Sequence, residues 1–211
     1  MKFAHGLAFP DSDRFMVAQT TAQGDYQASH IQAALTFVTG AQCAVDAGAH
    51  IGTWTRRLAA SFARVLAFEP SPDTVECLRV NTQQLSNVEV RQEALGVAPG
   101  FVRMALDADQ EARANTGARY VKTGGDIPVV ALDTLRLEAL DFFKLDVEGS
   151  ELFALQGAEK TLKRCRPIVL FEDKGLWKRY GQGRHAVSAY LTTLGYRHLC
   201  RVSCDEIWGP R

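Results

Sequence analysis

No one sign of charge dominates this chain. Lys plus Arg and Asp plus Glu both number 24, so the formal net charge is zero. A strongly basic footprint is missing, and nucleic acid is not an expected partner. No two cysteines stand in a C-x-x-C spacing, and the five present (Cys43, Cys77, Cys165, Cys200, Cys204) are an odd number in 211 residues. Neither a disulfide framework nor a zinc site follows from that pattern, and no metal is expected. Long apolar runs are missing too. The opening MKFAHGLAFPDSDR holds one short run broken by Pro10, too short for a secretory leader or a membrane span. The expectation is a cytoplasmic chain with no membrane partner.

Hydrophobic residues make up 46% and charged residues 23% of the chain, which suits one domain over residues 1–211 with a sizeable core. Residues 1–24 show no clear period and read as an N-terminal arm or cap. Ile31, Ala34, Leu35 and Val38 share one helical face, with Asp25 as N-cap and Gly40 as stop. Apolar runs of strand length then follow at 43–47, 65–68, 88–90, 142–147 and 168–171. Stretches of helical spacing lie between and after them, at 53–62, 71–85, 150–165 and 186–194. Strands apolar on both faces and separated by helices imply an α/β fold: a mostly parallel sheet with helices on both faces and right-handed crossovers. The last runs, 196–202 and 206–208, are close enough for a hairpin, so the sheet is expected to end in an antiparallel edge strand. Residues 100–128 break the rhythm and end in a strand-like run at 129–132. They read either as a hairpin or loop inserted near the active end of the sheet or as a surface excursion.

The first motif is AVDAGAHIG, residues 44–52. Gly48 and Gly52 permit a tight turn and close approach of backbone to a ligand, and the helix starting near Thr53 is expected to turn free N–H groups toward it. The spacing lacks the G-x-G-x-x-G of a dinucleotide site, and no P-loop Lys follows. Asp46 would repel a pyrophosphate. It suits a cationic ligand, such as the amino group and sulfonium of S-adenosylmethionine. The second motif, VLAFEPSPD, puts Glu69 at the end of the next strand, where an acid accepts from both ribose hydroxyls. Pro70 stops that strand, and Ser71 or Asp73 caps the next helix. Glu93 and Ala94, in RQEALG, stand either at an adenine edge or at a plain strand end.

The third motif, FFKLDVEGSELFALQGAEKTL, brings Lys144, Asp146, Glu148 and Glu151 together at the end of a buried strand. Charges there are costly unless paired or used. They form either an ion-paired cluster with acids at a helix start or a reaction centre.

With AVDAGAHIG, VLAFEPSP, the Asn-Thr-Gly at 115–117, VVALDTL, KLDVEGSELFALQGA and PIVLFE in this order, residues 41–173 resemble the FkbM family of S-adenosylmethionine-dependent methyltransferases. The resemblance implies a Rossmann-like, seven-stranded class I methyltransferase fold. It also implies S-adenosylmethionine as cofactor and methylation of a hydroxyl on a small molecule or carbohydrate. It implies that Asp46, Gly48, His50 and Gly52, with Ala47, Ala49 and Thr53 beside them, line the methionine part. Glu69, with Pro70 and Ser71, would hold the ribose, and Asp146 would lie beside the sulfonium and the acceptor. The family carries Asn where this chain has His50. Asn115 and His185 are candidates on the acceptor side. A hydroxyl needs a base, and Asp146 and Glu148 are the first candidates, with Glu172 and His185 behind them. D-V-E-G in place of N/D-P-P-Y argues against amino methylation of exposed bases. Two other readings stay in view: an NAD(P)-dependent oxidoreductase, and a non-catalytic cofactor-binding module.

Overall fold

Runs with no polar face become strands covered on both sides. In the computed structural model, which describes residues 1–23 and 27–211, the chain opens with a hairpin, β1 (Lys2–Ala4) and β2 (Leu7–Phe9), and two helices, α1 (Arg14–Gln23) and α2 (Ala28–Leu35). Asp25, the expected cap of α2, lies outside the described residues. The alternating part follows: β3 (Cys43–Ala47), α3 (Thr53–Ala59), β4 (Arg64–Phe68), α4 (Pro72–Thr82) and β5 (Val88–Arg91). A second, four-stranded sheet is built from β6 (Ala94–Leu95), β7 (Gly100–Ala105), β8 (Tyr120–Thr123) and β9 (Ile127–Val130), with α5 (Ala108–Ala112) between β7 and β8. The chain then returns with β10 (Phe142–Leu145), α6 (Glu151–Gln156), α7 (Glu159–Cys165), β11 (Ile168–Glu172), α8 (Ala186–Thr193), β12 (Tyr196–Val202) and β13 (Asp205–Pro210). Among the described residues, no helix is long and apolar enough to cross a membrane.

The main sheet has seven strands in the order β12-β13-β11-β10-β3-β4-β5. The five strands from β11 to β5 are parallel, while β13 runs antiparallel to both its neighbours. The reversed strand is therefore second from the edge, not at the edge as expected. Burial explains the swap. Ile207, Trp208 and Gly209 of β13 are buried, whereas Arg197, His198 and Arg201 of β12 are exposed. The apolar strand takes the covered place and the charged one faces water.

Period-two alternation divides the core. Val45, Phe143, Leu145 and Val169 face one side, with α6, α7 and α8 packed over them. Ala44, Phe142, Ile168 and Leu170 face the other, under Ile31 and Ala34 of α2 and Trp54 and Leu58 of α3. The helix expected over 150–165 is two helices, broken at Gly157. A Cβ on Gly157 would fall 1.9 Å from the Gly96 carbonyl oxygen, so the break lets the second sheet dock on the first. The arm is tied down by Asn81, which accepts from the Ala8 N–H at 2.7 Å and donates to the carbonyls of Ala8 (2.9 Å) and Ile51 (2.8 Å).

Candidate functional site

A cavity of about 460 Å³ lies outside the carboxyl ends of β3, β4 and β10, the place where open α/β sheets take ligands. The arm contributes Phe15 and Met16 to its wall, and the second sheet with its connections contributes Met104, Asp107, Arg119 and Tyr120.

The glycine loop forms one side. Gly48 has φ +75°, and a Cβ there would fall 1.8 Å from the Asp146 carbonyl oxygen. Glycine is what lets the loops after β3 and β10 touch. Gly48 and Ala49 both donate their N–H groups to the Phe68 carbonyl at 3.0 Å, Gly52 donates to Ala49, and His50 donates to Glu69 Oε2 at 2.9 Å. The N–H groups of these four loop residues are therefore all engaged within the protein. The loop's donors are spent on holding β4 against β3, and a pyrophosphate would find no cradle here.

Ala47, Gly48 and His50 line the cavity, while Ala49, Gly52, Thr53 and Ser71 stand behind its wall. Asp46 is also withdrawn from it. Its carboxylate is fully buried, receiving Lys144 Nζ at 2.8 Å on one oxygen and Thr55 Oγ1 at 2.7 Å on the other. A cation does sit against Asp46, as its position suggested, but that cation is the chain's own lysine.

Glu69 lines the cavity from the end of β4 and accepts from the N–H groups of His50 and Ser71, one on each oxygen. Burial pushes its proton affinity up, and the nearby His50 and these two hydrogen bonds oppose the rise. Each carboxylate oxygen keeps a further lone pair. Pro70, Glu93 and Ala94 complete this end, and Glu93 is held at 2.6 Å by Arg91 Nε.

His50 is left-handed (φ 51°). Its Nε2 lies 2.9 Å from Thr116 Oγ1 and 3.4 Å from Asp13 Oδ2, and Thr116 also donates to Asp13. Arm, glycine loop and second sheet thus meet on one imidazole. Asn115 lines the cavity but spends its side chain on Gly117 N–H and Gln110.

At the far end, Asp146 and Glu148 line the cavity, while Glu172 stands behind its wall with a carboxylate oxygen within 4.8 Å of theirs. Lys174 Nζ is 2.7 Å from Glu172 and 4.0 Å from Glu148. Arg179 lies 3.6 Å from Glu148, pairs with Asp107 and stacks 4.2 Å over the Tyr120 ring. Burial, then the charge of Asp146, pushes Glu148 up to about 7 and Glu172 up to about 10. Burial also raises Glu151 to about 7, although it accepts from the Gly149 N–H at 3.1 Å. Groups shifted this way in a cleft mark functional sites.

His185 is not brought to this cavity. It is exposed at the start of α8 and borders a second cavity of about 260 Å³ on the other side of Glu172. Trp177 donates to Asp173, and Tyr180 donates to the Val121 carbonyl and packs edge-on against Phe153. Both are structural in this arrangement. Phe15, Arg119, Tyr120, Lys174 and Arg179 carried no pattern that marks them in the sequence. Their only signal was position, in the arm, the 100–128 insertion and the segment after β11.

Fold and cavity together define the class: an α/β protein with its cavity at the carboxyl ends of its parallel strands. A family model described as the methyltransferase FkbM domain matches residues 46–198, and this chain belongs to that family. Its cofactor is S-adenosylmethionine. Among solved structures, an FkbM methyltransferase from Methylobacillus flagellatus KT is similar at 20% identity and a TM-score of 0.52, over 82% of this chain. This chain spans only 44% of that protein's length. A precorrin 8w decarboxylase from Methanobacterium thermoautotrophicum matches at 13% identity and a TM-score of 0.52, over 87% of this chain and 90% of its own. At these identities the likeness is one of fold. No curated protein matches the chain.

Proposed function

We propose that this chain, with a Rossmann-like class I methyltransferase architecture, transfers the methyl group of S-adenosylmethionine to a hydroxyl oxygen of a small molecule or sugar. The observation that carries the reading is the placement of Glu148. A carboxyl poised at about 7 stands at the end of β10 in the same cavity as Glu69 and the glycine loop. The cavity volume falls in the range of small-molecule sites, roughly 300–1,000 Å³.

The roles follow from position. Glu69 accepts from the ribose hydroxyls on the lone pairs its backbone bonds leave. Pro70, Glu93 and Ala94 flank the base, and Ala47, Gly48 and His50 flank the methionine end. Bound S-adenosylmethionine supplies an electrophilic methyl on a positively charged sulfur. The residues around Asp146 and Asn115 orient the acceptor for in-line displacement, and Glu148 takes its proton as the new bond forms. Glu172, paired with Lys174 at 2.7 Å and raised by burial, shares the cluster's proton with Glu148. His185, facing the second cavity, is not proposed as the base. The five free thiols support a reducing, cytoplasmic setting.

Calorimetric binding of S-adenosylmethionine, followed by mass spectrometry of methyl transfer to a panel of small hydroxyl acceptors and sugars, tests the reading. Glu148→Gln is expected to keep S-adenosylhomocysteine affinity and slow transfer by ~10²–10⁴-fold. Transfer only to nitrogen, or a Glu148→Gln protein at full rate, would refute it.

A further inference from the structure

Carboxylates as close as those of Asp146, Glu148 and Glu172, with oxygens within 4.8 Å, do not all ionise together; they hold a proton among them. Their surroundings come from several elements. Lys174, two residues beyond β11, bonds Glu172. Arg179 approaches Glu148 but is shared with Asp107 outside the cluster. Glu151 of α6, itself buried, adds a fourth acid beneath the loop. From β13, Asp205 stands opposite Glu172 in the sheet register and is paired with His30 at 2.6 Å. Lys144 is spent on Asp46. The acids thus outnumber the cations free to neutralise them, and a proton makes up the difference.

Resting on the donor assignment above, we propose that the Glu148–Glu172 pair exchanges this proton for the charge of the sulfonium, releasing it when the cationic donor binds and regaining one from the acceptor hydroxyl during transfer. The balance closes. Glu148 accepts the proton of the breaking O–H bond. The new bond joins oxygen to the methyl carbon, and the electron pair of the C–S bond stays on sulfur, which becomes neutral. The pair is then protonated again beside an uncharged product. One proton leaves per turnover, and it leaves at donor binding. The carboxyl of Glu148, raised to about 7, makes the exchange feasible near neutral pH. Glu172 gives it an exit, because Glu172 stands behind the main cavity's wall and borders the second cavity, whose rim residues Arg184 and His185 are exposed. The proton need not pass the bound donor.

Donor and demethylated product differ only in the methyl group and its charge, so the exchange has a signature that needs no acceptor. The full chain is titrated calorimetrically with S-adenosylmethionine and with S-adenosylhomocysteine in two buffers of different ionisation enthalpy. A value of about pH 6.5 keeps the amino groups of both ligands charged. The donor is expected to release on the order of one proton and the product almost none. Donor affinity should weaken by up to about tenfold per pH unit below Glu148's value, while product affinity stays flat. The double variant Glu148→Gln/Glu172→Gln should lose the release and keep product affinity. Equal proton counts for the two ligands, undiminished release in the double variant, or donor binding abolished by EDTA would each overturn the proposal. The comparison on the unaltered chain decides it even if the double variant fails to fold. Failure to bind either ligand would sink the donor assignment instead.

Discussion

Lys144 Nζ sits 2.8 Å from Asp46 Oδ1, and neither side chain is more than 3% exposed. Adjacent strands bring them together, since Lys144 and Asp46 are register partners across the β10–β3 pair. Burial alone would strip the lysine of its proton. Attraction to Asp46, then to Asp146, outweighs burial and holds its proton affinity above the ordinary lysine value. The ammonium also donates to the Gly48 carbonyl at 3.0 Å, so the pair props up the glycine loop from beneath. Removing one partner of a buried pair costs about 3–5 kcal/mol, because the other charge is left alone. Asp46→Asn and Lys144→Met are each expected to lose that much in urea unfolding. The double variant Asp46→Leu/Lys144→Met should recover much of it. Additive losses would show that the two side chains act independently.

Gly48 is required by two separate facts: its positive φ, and the Asp146 carbonyl 1.8 Å from where a Cβ would stand. A backbone atom cannot swing aside as a side-chain tip can. Gly48→Ala is expected to push the loops after β3 and β10 apart, lowering S-adenosylmethionine affinity by at least tenfold in calorimetry and reducing the melting temperature. Gly183→Ala is the control. Nothing lies within 4 Å of its added Cβ, and both readouts should stay at the parent values.

The parallel core was legible because its strands are apolar on both faces; the strand expected at 43–47 is β3 without a shift. The helix break at Gly157 was not, since it depends on contact with the Gly96 carbonyl, about sixty residues away in sequence. Nor was the inward place of β13, which follows from a comparison of two strands' burial that only the assembled sheet makes. Within the site, Glu69, Glu148 and Glu172 stood out as acids at strand ends. Asp46 stood out by the same rule yet faces Lys144 instead of the cavity, because a residue at a strand's end has two sides to choose between and the neighbouring strand decides. Arg179 and Tyr120 were invisible for the opposite reason. Tyr120 opens β8 and Arg179 sits in the short 3-10 helix Leu176–Tyr180, and their stacking is a purely tertiary fact.

Asp13 clamps the arm to the glycine loop through His50 and Thr116. Burial would raise its proton affinity, but the hydrogen bond and charge of His50, with those of Thr116 and the Met16 N–H, more than offset it and hold it below the ordinary 3.8. A carboxyl depressed on folding adds stability that is complete above its unfolded value and fades as pH falls through the folded one. Asp13→Asn is therefore expected to cost ~1–3 kcal/mol at neutral pH. The gap to the parent should stay constant down to about pH 5 and narrow below about pH 4. Urea unfolding across that range checks it. A gap that widens on acidification would mean the carboxylate is not the clamp.

Glu69 is the sharpest test of the cofactor end. Its two oxygens each accept one backbone N–H, from His50 and from Ser71, both at 2.9 Å. Glutamine keeps the shape but must turn an NH₂ group toward one of those donors, so it breaks a bond to the glycine loop and removes an acceptor that the ribose would use. Hydrogen bonds to charged groups are worth about 1.5–3 kcal/mol, or roughly 10- to 150-fold in affinity. Glu69→Gln should weaken both S-adenosylmethionine and S-adenosylhomocysteine by that factor, equally, because the ribose is common to both. Glu148→Gln/Glu172→Gln should instead separate the two ligands. If Glu69→Gln discriminated between donor and product, its carboxylate would be acting on the sulfonium, and the orientation assigned to the cofactor in this cavity would have to be reversed.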